Sequence, residues 1–196
     1  MKLDIETILK ILSFKGHYQY GQEPISQLKH ALQCATFAEL ARASNELIVA
    51  CLFHDFGHLV HNLGEDAAKK SINDHHEYRS IEYLKHLFGE AVTEPIRLHV
   101  EAKRYLCATK PNYFATLSPA SQQSLELQGG AFSSDAAAEF IQQPYAEDAV
   151  QLRIWDDQAK IVGMKTPNLE HFNRIIYETI LVSNIANIMS SKFCFN

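Results

Sequence analysis

Apolar residues recur at three- and four-residue spacing along almost the whole chain, as they do at Ile81, Leu84 and Leu87. This spacing is that of one face of an α-helix, whereas the alternation typical of a half-buried strand is hard to find. The pattern predicts an all-α fold, and we expect one domain over residues 1–196 because no repeat or linker interrupts it. The predicted helices cover residues 3–14, 26–43, 46–60, 76–88, 94–108, 119–128, 135–142, 145–158 and 168–182.

Residues that start and stop helices support several of these boundaries. Thr93 and Pro95 form a start signal at the helix that contains IRLHVEAKRYL, and Gly129 with Gly130 forms a stop signal after SLELQ. The final segment, residues 183–196, carries no pattern that assigns it to a helix or a strand.

Composition and charge narrow the function classes. Of 196 residues, 46% are apolar and 21% are charged, which is ordinary for a globular protein. The net charge is −5 and the basic residues form no long run, so we expect no nucleic-acid partner. No stretch approaches the roughly 20 apolar residues that span a bilayer, so we expect no membrane association. The four cysteines form no CxxC pair, which predicts reduced thiols and a cytoplasmic location.

One apolar segment, CLFHDFGHLVHN (51–62), contains a carboxylate, Asp55, beside His54. If the helix predicted for 46–60 is continuous, these two side chains can reach one buried centre, and His58 lies one turn beyond His54. Imidazole and carboxylate together suit Fe, Mn or Zn, and one carboxylate can bridge two ions. The pair alone is weak evidence, because a hydrogen-bonded core histidine is the commoner case.

Further residues of ligand type occur on other predicted helices, each in apolar surroundings. They are His30, His76, His99 and Asp156. Helix bundles build dinuclear sites from side chains that point inward from facing helices, so the set predicts a metal centre. The remaining histidines are assigned to surface or loop positions, and His75 is the one most easily exchanged with its neighbour His76.

The ligand order resembles that of the HD-domain superfamily, and in particular its oxygenase branch, which carries four histidines and two aspartates around a diiron centre. Further similarity to the 2-amino-1-hydroxyethylphosphonate dioxygenase family lies in YGQEPISQLKHALQCA, LFHDFGHL, HVEAKRYL, LELQGG and LRIWDD. The resemblance implies an HD-domain helical bundle with a mixed-valent Fe(II)/Fe(III) site. It also implies that O2 is used to cleave a carbon–phosphorus bond, giving a carboxylate and phosphate.

Carried over by position, the resemblance divides the ligands between two iron ions that share Asp55. One iron would be held by His30, His54, Asp55 and Asp156, and the other by Asp55, His76 and His99.

The same resemblance implies residues that bind the phosphonate group. Lys103 lies four residues after His99 and Arg153 lies three before Asp156, so each predicted cation is one helical turn from a predicted ligand. His58 is expected to donate to the substrate from the segment that follows the His-Asp pair.

Two residues of the predicted loop 16–24, Tyr20 and Glu23, match the lid pair of the family. There the tyrosine occupies an iron site at rest and the glutamate receives the substrate amine. Gln128 recurs in the family as a candidate substrate contact, although beside Gly129 and Gly130 we expect its role to be mainly structural.

Two other functions stay open at this point. A metal-dependent phosphohydrolase acting on nucleotides or phosphoesters would turn over without O2, using Mn, Mg or Co. A binding module that retains the fold without the chemistry would hold no iron. The substituent of the substrate is open too, since 2-amino-1-hydroxyethylphosphonate suits Glu23, whereas its trimethylammonio analogue suits the rings of Tyr18, Tyr20 and Tyr78.

Overall fold

The computed structural model describes residues 2–60 and 75–193, without the side chains of 186–193. The all-α prediction is confirmed, because in these ranges the only β pairing is an isolated bridge between Gln19 and Ser26. The helices are α1 (Ile5–Lys15), α2 (Gln27–Leu40), α3 (Asn45–Phe53), α4 (Gly57–Val60), α5 (His76–Leu84), α6 (Glu90–Thr109), α7 (Tyr113–Thr116), α8 (Pro119–Leu127), α9 (Ser134–Phe140), α10 (Ala146–Gln158) and α11 (Leu169–Phe193).

Helix α3 lies at the centre of the bundle. Every residue from Leu47 to Phe53 is buried, and a helix that is apolar on all sides needs neighbours on all sides. Helices α2, α6, α10 and α11 supply those neighbours, and α6 also packs along α10. As a result, the C-terminal end of α3 points into a space that α2, α6 and α10 enclose.

The predicted continuous helix 46–60 is wrong. Helix α3 ends at Phe53, and three residues in a turn precede the single turn of α4. Ser80 stabilises the break, because its hydroxyl donates to the carbonyl of His54 at 3.1 Å and accepts from the amide of Gly57 at 2.7 Å. A Cβ at Gly57 would lie 2.0 Å from the carbonyl oxygen of His76, so only glycine permits this approach of α5.

Several predicted boundaries also differ from the structure, and α5, for example, ends at Leu84 rather than at residue 88. Helix α6 begins at Glu90, four residues before the predicted start, and Pro95 lies inside it. Proline at this position costs the helix one backbone hydrogen bond, which the packing of α6 against α3, α5 and α10 offsets. Helix α11 continues to Phe193, so most of the unassigned segment 183–196 is helical.

The predicted end of α8 is confirmed. The helix stops at Leu127, and Gly129 and Gly130 follow with φ angles of +95° and +71°, in the left-handed region that favours glycine. The amide of Gly130 donates to the carbonyl of Leu125 at 2.9 Å, which closes the helix end.

Candidate metal centre

Four buried imidazoles meet in the space at the end of α3. They come from α2, the end of α3, the start of α5 and the middle of α6, and they are His30, His54, His76 and His99. They form two pairs, with 3.2 Å between the Nε2 atoms of His30 and His54 and 3.1 Å between those of His76 and His99. His75, the alternative to His76, has 61% of its side chain exposed and lies outside the cluster.

Asp55 lies between the two pairs and presents one carboxylate oxygen to each. Oδ2 is 3.5 Å from Nε2 of His30 and 3.3 Å from Nε2 of His54. Oδ1 is 3.4 Å from Nε2 of His76 and 3.8 Å from Nε2 of His99. The turn after α3, rather than a continued helix, gives Asp55 this central position.

Asp156 joins only one of the pairs. Its Oδ1 lies 3.3 Å from Nε2 of His30 and 3.9 Å from Nε2 of His54. We therefore call His30, His54, Asp156 and Oδ2 of Asp55 the first half-site, and His76, His99 and Oδ1 of Asp55 the second half-site. The ligand atoms of His30, His54 and Asp55 lie within 4.8 Å of one another, and so do those of Asp55, His76 and His99.

Backbone carbonyls set the tautomer of three of these histidines. The Nδ1 atoms of His30, His54 and His99 lie 2.8, 2.9 and 2.6 Å from the carbonyl oxygens of Ala159, Cys51 and Ile96. A carbonyl only accepts, so each Nδ1 carries a proton and each neutral ring directs an Nε2 lone pair inward. Two neutral rings of this tautomer, such as His30 and His54 with their Nε2 atoms 3.2 Å apart, repel each other unless a proton or a metal ion lies between or beside them.

Two buried carboxylate oxygens also indicate a cation site. Oδ2 of Asp55 and Oδ1 of Asp156 are buried, and neither has a hydrogen-bond partner among the described residues. A buried acceptor without a partner is costly, and a metal ion is one way to satisfy it. Four imidazole nitrogens and two carboxylates form a donor set for transition metals, so these residues fit two ions that share Asp55.

Electrostatics distinguish the half-sites. Burial raises the pKa of Asp55, but His54 and His30 lower it more, so it lies well below its usual range. Burial lowers the pKa of His54, yet the nearby carboxylates raise it more, and the net shift is well upward. By contrast, burial together with His76 and His54 holds the pKa of His99 well below its usual range, so His99 stays neutral.

Arg153 holds Asp156 in place. Its Nη1 donates to Oδ2 of Asp156 at 2.7 Å, which leaves Oδ1 facing the histidines. Its other nitrogens bind Asp157, one of them Oδ2 at 3.1 Å, and the hydroxyl of Tyr113 also donates to Asp157. In this structure the guanidinium thus contacts protein carboxylates, and its binding to a phosphonate stays a prediction.

Lys103 is buried, with 2% of its surface exposed. Its ammonium donates to the hydroxyl of Ser124 on α8 at 2.7 Å. Burial and the nearby charge of Arg153 lower the pKa of Lys103 to about 7. An anion beside this amine would stabilise its protonated form and raise its pKa.

Tyr20, from the loop 16–24, and His58 both stack on histidines of the cluster. The ring of Tyr20 stacks on His30, with centroids 4.0 Å apart and planes 14° apart. Burial and the carboxylates of Asp55 and Asp156 raise the pKa of the Tyr20 hydroxyl well above its usual value. His58 stacks on His76 with centroids 4.0 Å apart, and its Nε2 is 3.8 Å from Oδ1 of Asp55.

The structure places Glu23 and Gln128 in different settings. Oε1 of Glu23 accepts a hydrogen bond from the hydroxyl of Ser118 at 2.5 Å and pairs with the ammonium of Lys160 at 3.3 Å. Gln128 follows the last residue of α8, and its buried Oε1 has no hydrogen-bond partner within the described ranges.

Sequence reasoning missed several residues of this region. They are Tyr113, Ser118, Ser121, Ser124, Asp157 and Lys160. The three serines recur at three-residue spacing in SPASQQS, which indicates a polar stripe on one face of α8. Lys160 follows the end of α10 and carried no signal of its own.

The sequence matches known proteins over most of its length. Residues 28–129 match the HD domain family. The chain is similar to hydroxymethylphosphonate dioxygenase of Gimesia maris, at 42% identity over 86% of this chain and 84% of the relative. It is also similar to the glycine-betaine-forming 1-hydroxy-2-(trimethylamino)ethylphosphonate dioxygenase of Leisingera caerulea, at 38% identity over 90% of each chain. These matches confirm the resemblance to HD-domain oxygenases and the predicted HD-domain bundle.

Proposed function

This chain belongs to the HD domain family, and we propose that it is an oxygenase that cleaves the carbon–phosphorus bond of a small 1-hydroxyphosphonate. The observation that carries the proposal is the pair of half-sites joined by Asp55, found in a chain that is similar to two hydroxyphosphonate dioxygenases over most of its length. Candidate substrates are 2-amino-1-hydroxyethylphosphonate, its trimethylammonio analogue and hydroxymethylphosphonate. The products would be glycine, glycine betaine or formate, each with phosphate.

The proposed reaction balances with one O2 and no other reductant. The substrate R–CH(OH)–PO3²⁻ and O2 give R–COO⁻, HPO4²⁻ and H⁺. The carbon–phosphorus and C1–H bonds break, one oxygen atom goes to carbon and one goes to phosphorus. Oxidation of the substrate supplies the four electrons that reduce O2.

We propose two iron ions, Fe(II) and Fe(III), as the metals. His30, His54, Asp55 and Asp156 would hold one, and Asp55, His76 and His99 the other, in agreement with the two half-sites. Bound there, the iron pair would supply the redox chemistry of O2 activation and Lewis-acid sites for the substrate oxygens. The carbonyl partners of the Nδ1 atoms of His30, His54 and His99 support this assignment, because they keep the Nε2 atoms of these three rings available to a metal.

The chain itself would bind and orient the phosphonate. In the described part of the chain the buried amine of Lys103 has one hydroxyl partner, Ser124, so a phosphonate dianion beside it would strengthen its charged form. Arg153 would add a second cation if part of its guanidinium turned from Asp157 toward the substrate. His58, next to Asp55, is placed to donate a hydrogen bond to a substrate oxygen, and Gln128 remains a further candidate contact.

Tyr20 would act as the gate. Its ring covers His30 of the first half-site, so substrate reaches that side only when the 16–24 loop moves. Closure after binding would keep water from the reacting groups, which is a common function of lid loops.

We also propose that the whole chain works as one domain in a reducing cytoplasm. Cys34, Cys51 and Cys107 are free thiols, and Cys194 lies outside the described residues. In the described part of the chain, no helix is both long and apolar enough to cross a bilayer.

The test is aerobic turnover by iron-loaded protein with each of the three hydroxyphosphonates. We expect phosphate release and O2 consumption in a one-to-one ratio, and no release without O2. Phosphate release from phosphoesters under anaerobic conditions with Mn, Mg or Co would instead show a phosphohydrolase. A protein that holds two irons yet releases no phosphate from any of the three would contradict the proposed function.

A further inference from the structure

A row of serine hydroxyl groups along α8 and its N-cap, Ser118, connects two lysines and the lid loop, residues 16–24. Ser121 accepts a hydrogen bond from the ammonium of Lys160 at 2.9 Å, and Ser118 donates to Glu23 at 2.5 Å. At the other end of the row, Ser124 accepts from the ammonium of Lys103 at 2.7 Å. These groups form a continuous polar wall that ends at Lys103 on one side and at Glu23 with Lys160 on the other.

This wall borders the candidate metal centre. Lys160 directly follows Ala159, whose carbonyl accepts the hydrogen bond from Nδ1 of His30. Glu23 lies in the same turn as Tyr20, since its amide donates to the carbonyl of Tyr20 at 2.8 Å, and the Tyr20 ring stacks on His30. At this end of the wall, Lys160 is therefore next in sequence to Ala159 and Glu23 is in the turn of Tyr20, and both Ala159 and Tyr20 contact His30.

The carboxylate of Glu23 already has a cation. Nζ of Lys160 lies 3.3 Å from Oε1 of Glu23, and the two side chains are only 13% and 12% exposed. Lys160 is also near enough to Lys103 for its charge to contribute to the lowered pKa of that residue. A substrate ammonium that approached Glu23 would meet the ammonium of Lys160 in a site that water screens poorly.

We propose that Lys160 determines the substituent selectivity of this protein. Its ammonium takes the place on Glu23 that a substrate amine would need, so the protein selects 1-hydroxyphosphonates that carry no cation on C2. The inference rests on the proposed function for its substrate class. Selectivity is thereby assigned to one residue, Lys160. In this protein Glu23 does not bind the substrate but holds the lid loop through its contacts with Lys160 and Ser118.

The experiment compares the binding of two ligands that differ in the amine. Iron-loaded protein is titrated calorimetrically without O2, once with hydroxymethylphosphonate and once with 2-amino-1-hydroxyethylphosphonate. We expect wild type to bind hydroxymethylphosphonate more tightly. Lys160→Gln should shift the ratio of the two Kd values toward the amine by about tenfold or more, because Glu23 becomes available to the substrate ammonium.

Three further variants make the result specific. Lys160→Met removes the cation with a different shape, so the same shift is expected from it even if the glutamine variant folds poorly. Lys160→Arg keeps the cation and should keep the wild-type ratio. Lys165→Gln removes the same charge from an exposed lysine five residues away and should leave both Kd values unchanged.

The inference is wrong if wild type prefers the amine, or if both cation-removing variants leave the ratio of Kd values unchanged while Lys165→Gln behaves like wild type. Failure of the proposed function has a different signature. Binding would follow the expected ratios, but no phosphate would appear after O2 is admitted.

Discussion

Each half-site contains two imidazoles, but the two half-sites differ in their carboxylates and in the side chains that cover them. The first half-site has a second carboxylate, Asp156, which Arg153 orients, and the ring of Tyr20 lies over it. Among the described residues, the second half-site has only its share of Asp55 as a carboxylate ligand, and His58 lies over it. The first therefore offers more negative charge to a cation, and the second leaves more of a metal's coordination to other ligands.

For the proposed iron pair, this difference would let one cluster hold two ions of unequal charge. Two carboxylates favour the harder and more highly charged ion, whereas two imidazoles with one shared oxygen suit the softer one. A mixed-valent pair is what such an asymmetric cluster would stabilise. The substitutions and the pH change described next affect both half-sites, one half-site, or only the Tyr20 ring that covers the first.

The largest effect is expected from Asp55→Asn. It replaces the carboxylate that both half-sites share by a neutral amide with a single oxygen, so both ions should bind at least about a hundredfold more weakly and turnover should be lost. Metal analysis after gel filtration measures the loss. Asp135→Asn, which changes an exposed carboxylate on α9, is the matched control, and two retained irons in Asp55→Asn would contradict the shared role.

Removal of one imidazole should separate the half-sites. His99→Ala is expected to lower the metal content from two ions to one, because the ligands of the first half-site are all retained. Turnover should be abolished, because the proposed reaction needs both ions. Metal analysis with iron spectroscopy checks this. Loss of both ions would show that the half-sites fill only together.

A change of pH should also act unequally. The raised pKa values of His30 and His54 mean that protons compete for their Nε2 atoms at a higher pH than at His99, whose pKa is lowered. As pH falls, the first half-site should lose metal before the second, by up to about tenfold in affinity per pH unit and titrating histidine. Metal titrations between pH 8 and pH 6 measure this order, and simultaneous loss would contradict it.

The same shifts predict the stability of the metal-free protein. The raised pKa values of His30 and His54 add stability that is fully present below their unfolded value of about 6.5 and is lost as pH rises through the folded values. Chemical denaturation of chelated protein at several pH values checks the sign. A free energy of unfolding that increases as the pH rises above about 6.5 would contradict this prediction.

A smaller effect is expected from Arg153→Met. Asp156 would lose the partner that orients it, so the first half-site should bind its ion about 10–100-fold more weakly while the second stays filled. Metal titration measures both affinities. Arg174→Met, which removes an exposed guanidinium on α11, should leave both affinities unchanged.

The smallest effect is expected from Tyr20→Phe. The ring still stacks on His30, but the hydroxyl beside Asp55 is lost, so the cover should open more readily. We expect a few-fold faster loss of Fe(II) to air in the absence of substrate, with the metal content unchanged. A rate of oxidation equal to that of wild type would indicate that the hydroxyl has no part in closure.

Much of this molecule could be predicted from local pattern. The helical spacing of apolar residues gave the fold class, and the glycines after α8 marked its end, because both are properties of short segments. Family resemblance identified a ligand order whose members the structure brings into one cluster. The break after Phe53 could not be predicted, because it depends on Ser80 and on the approach of His76, which lie more than twenty residues away.

Local patterns in the chain were enough to predict that helices form and that residues able to bind a metal lie in apolar surroundings. Helix packing, which local patterns do not encode, places Asp55 between two histidine pairs, Asp156 beside one of them, and Lys160 next to Glu23. The physical reason is that helix formation depends on neighbours three or four residues apart. A site depends instead on distances between atoms of different helices, and the packing of α2, α3, α6 and α10 sets those distances.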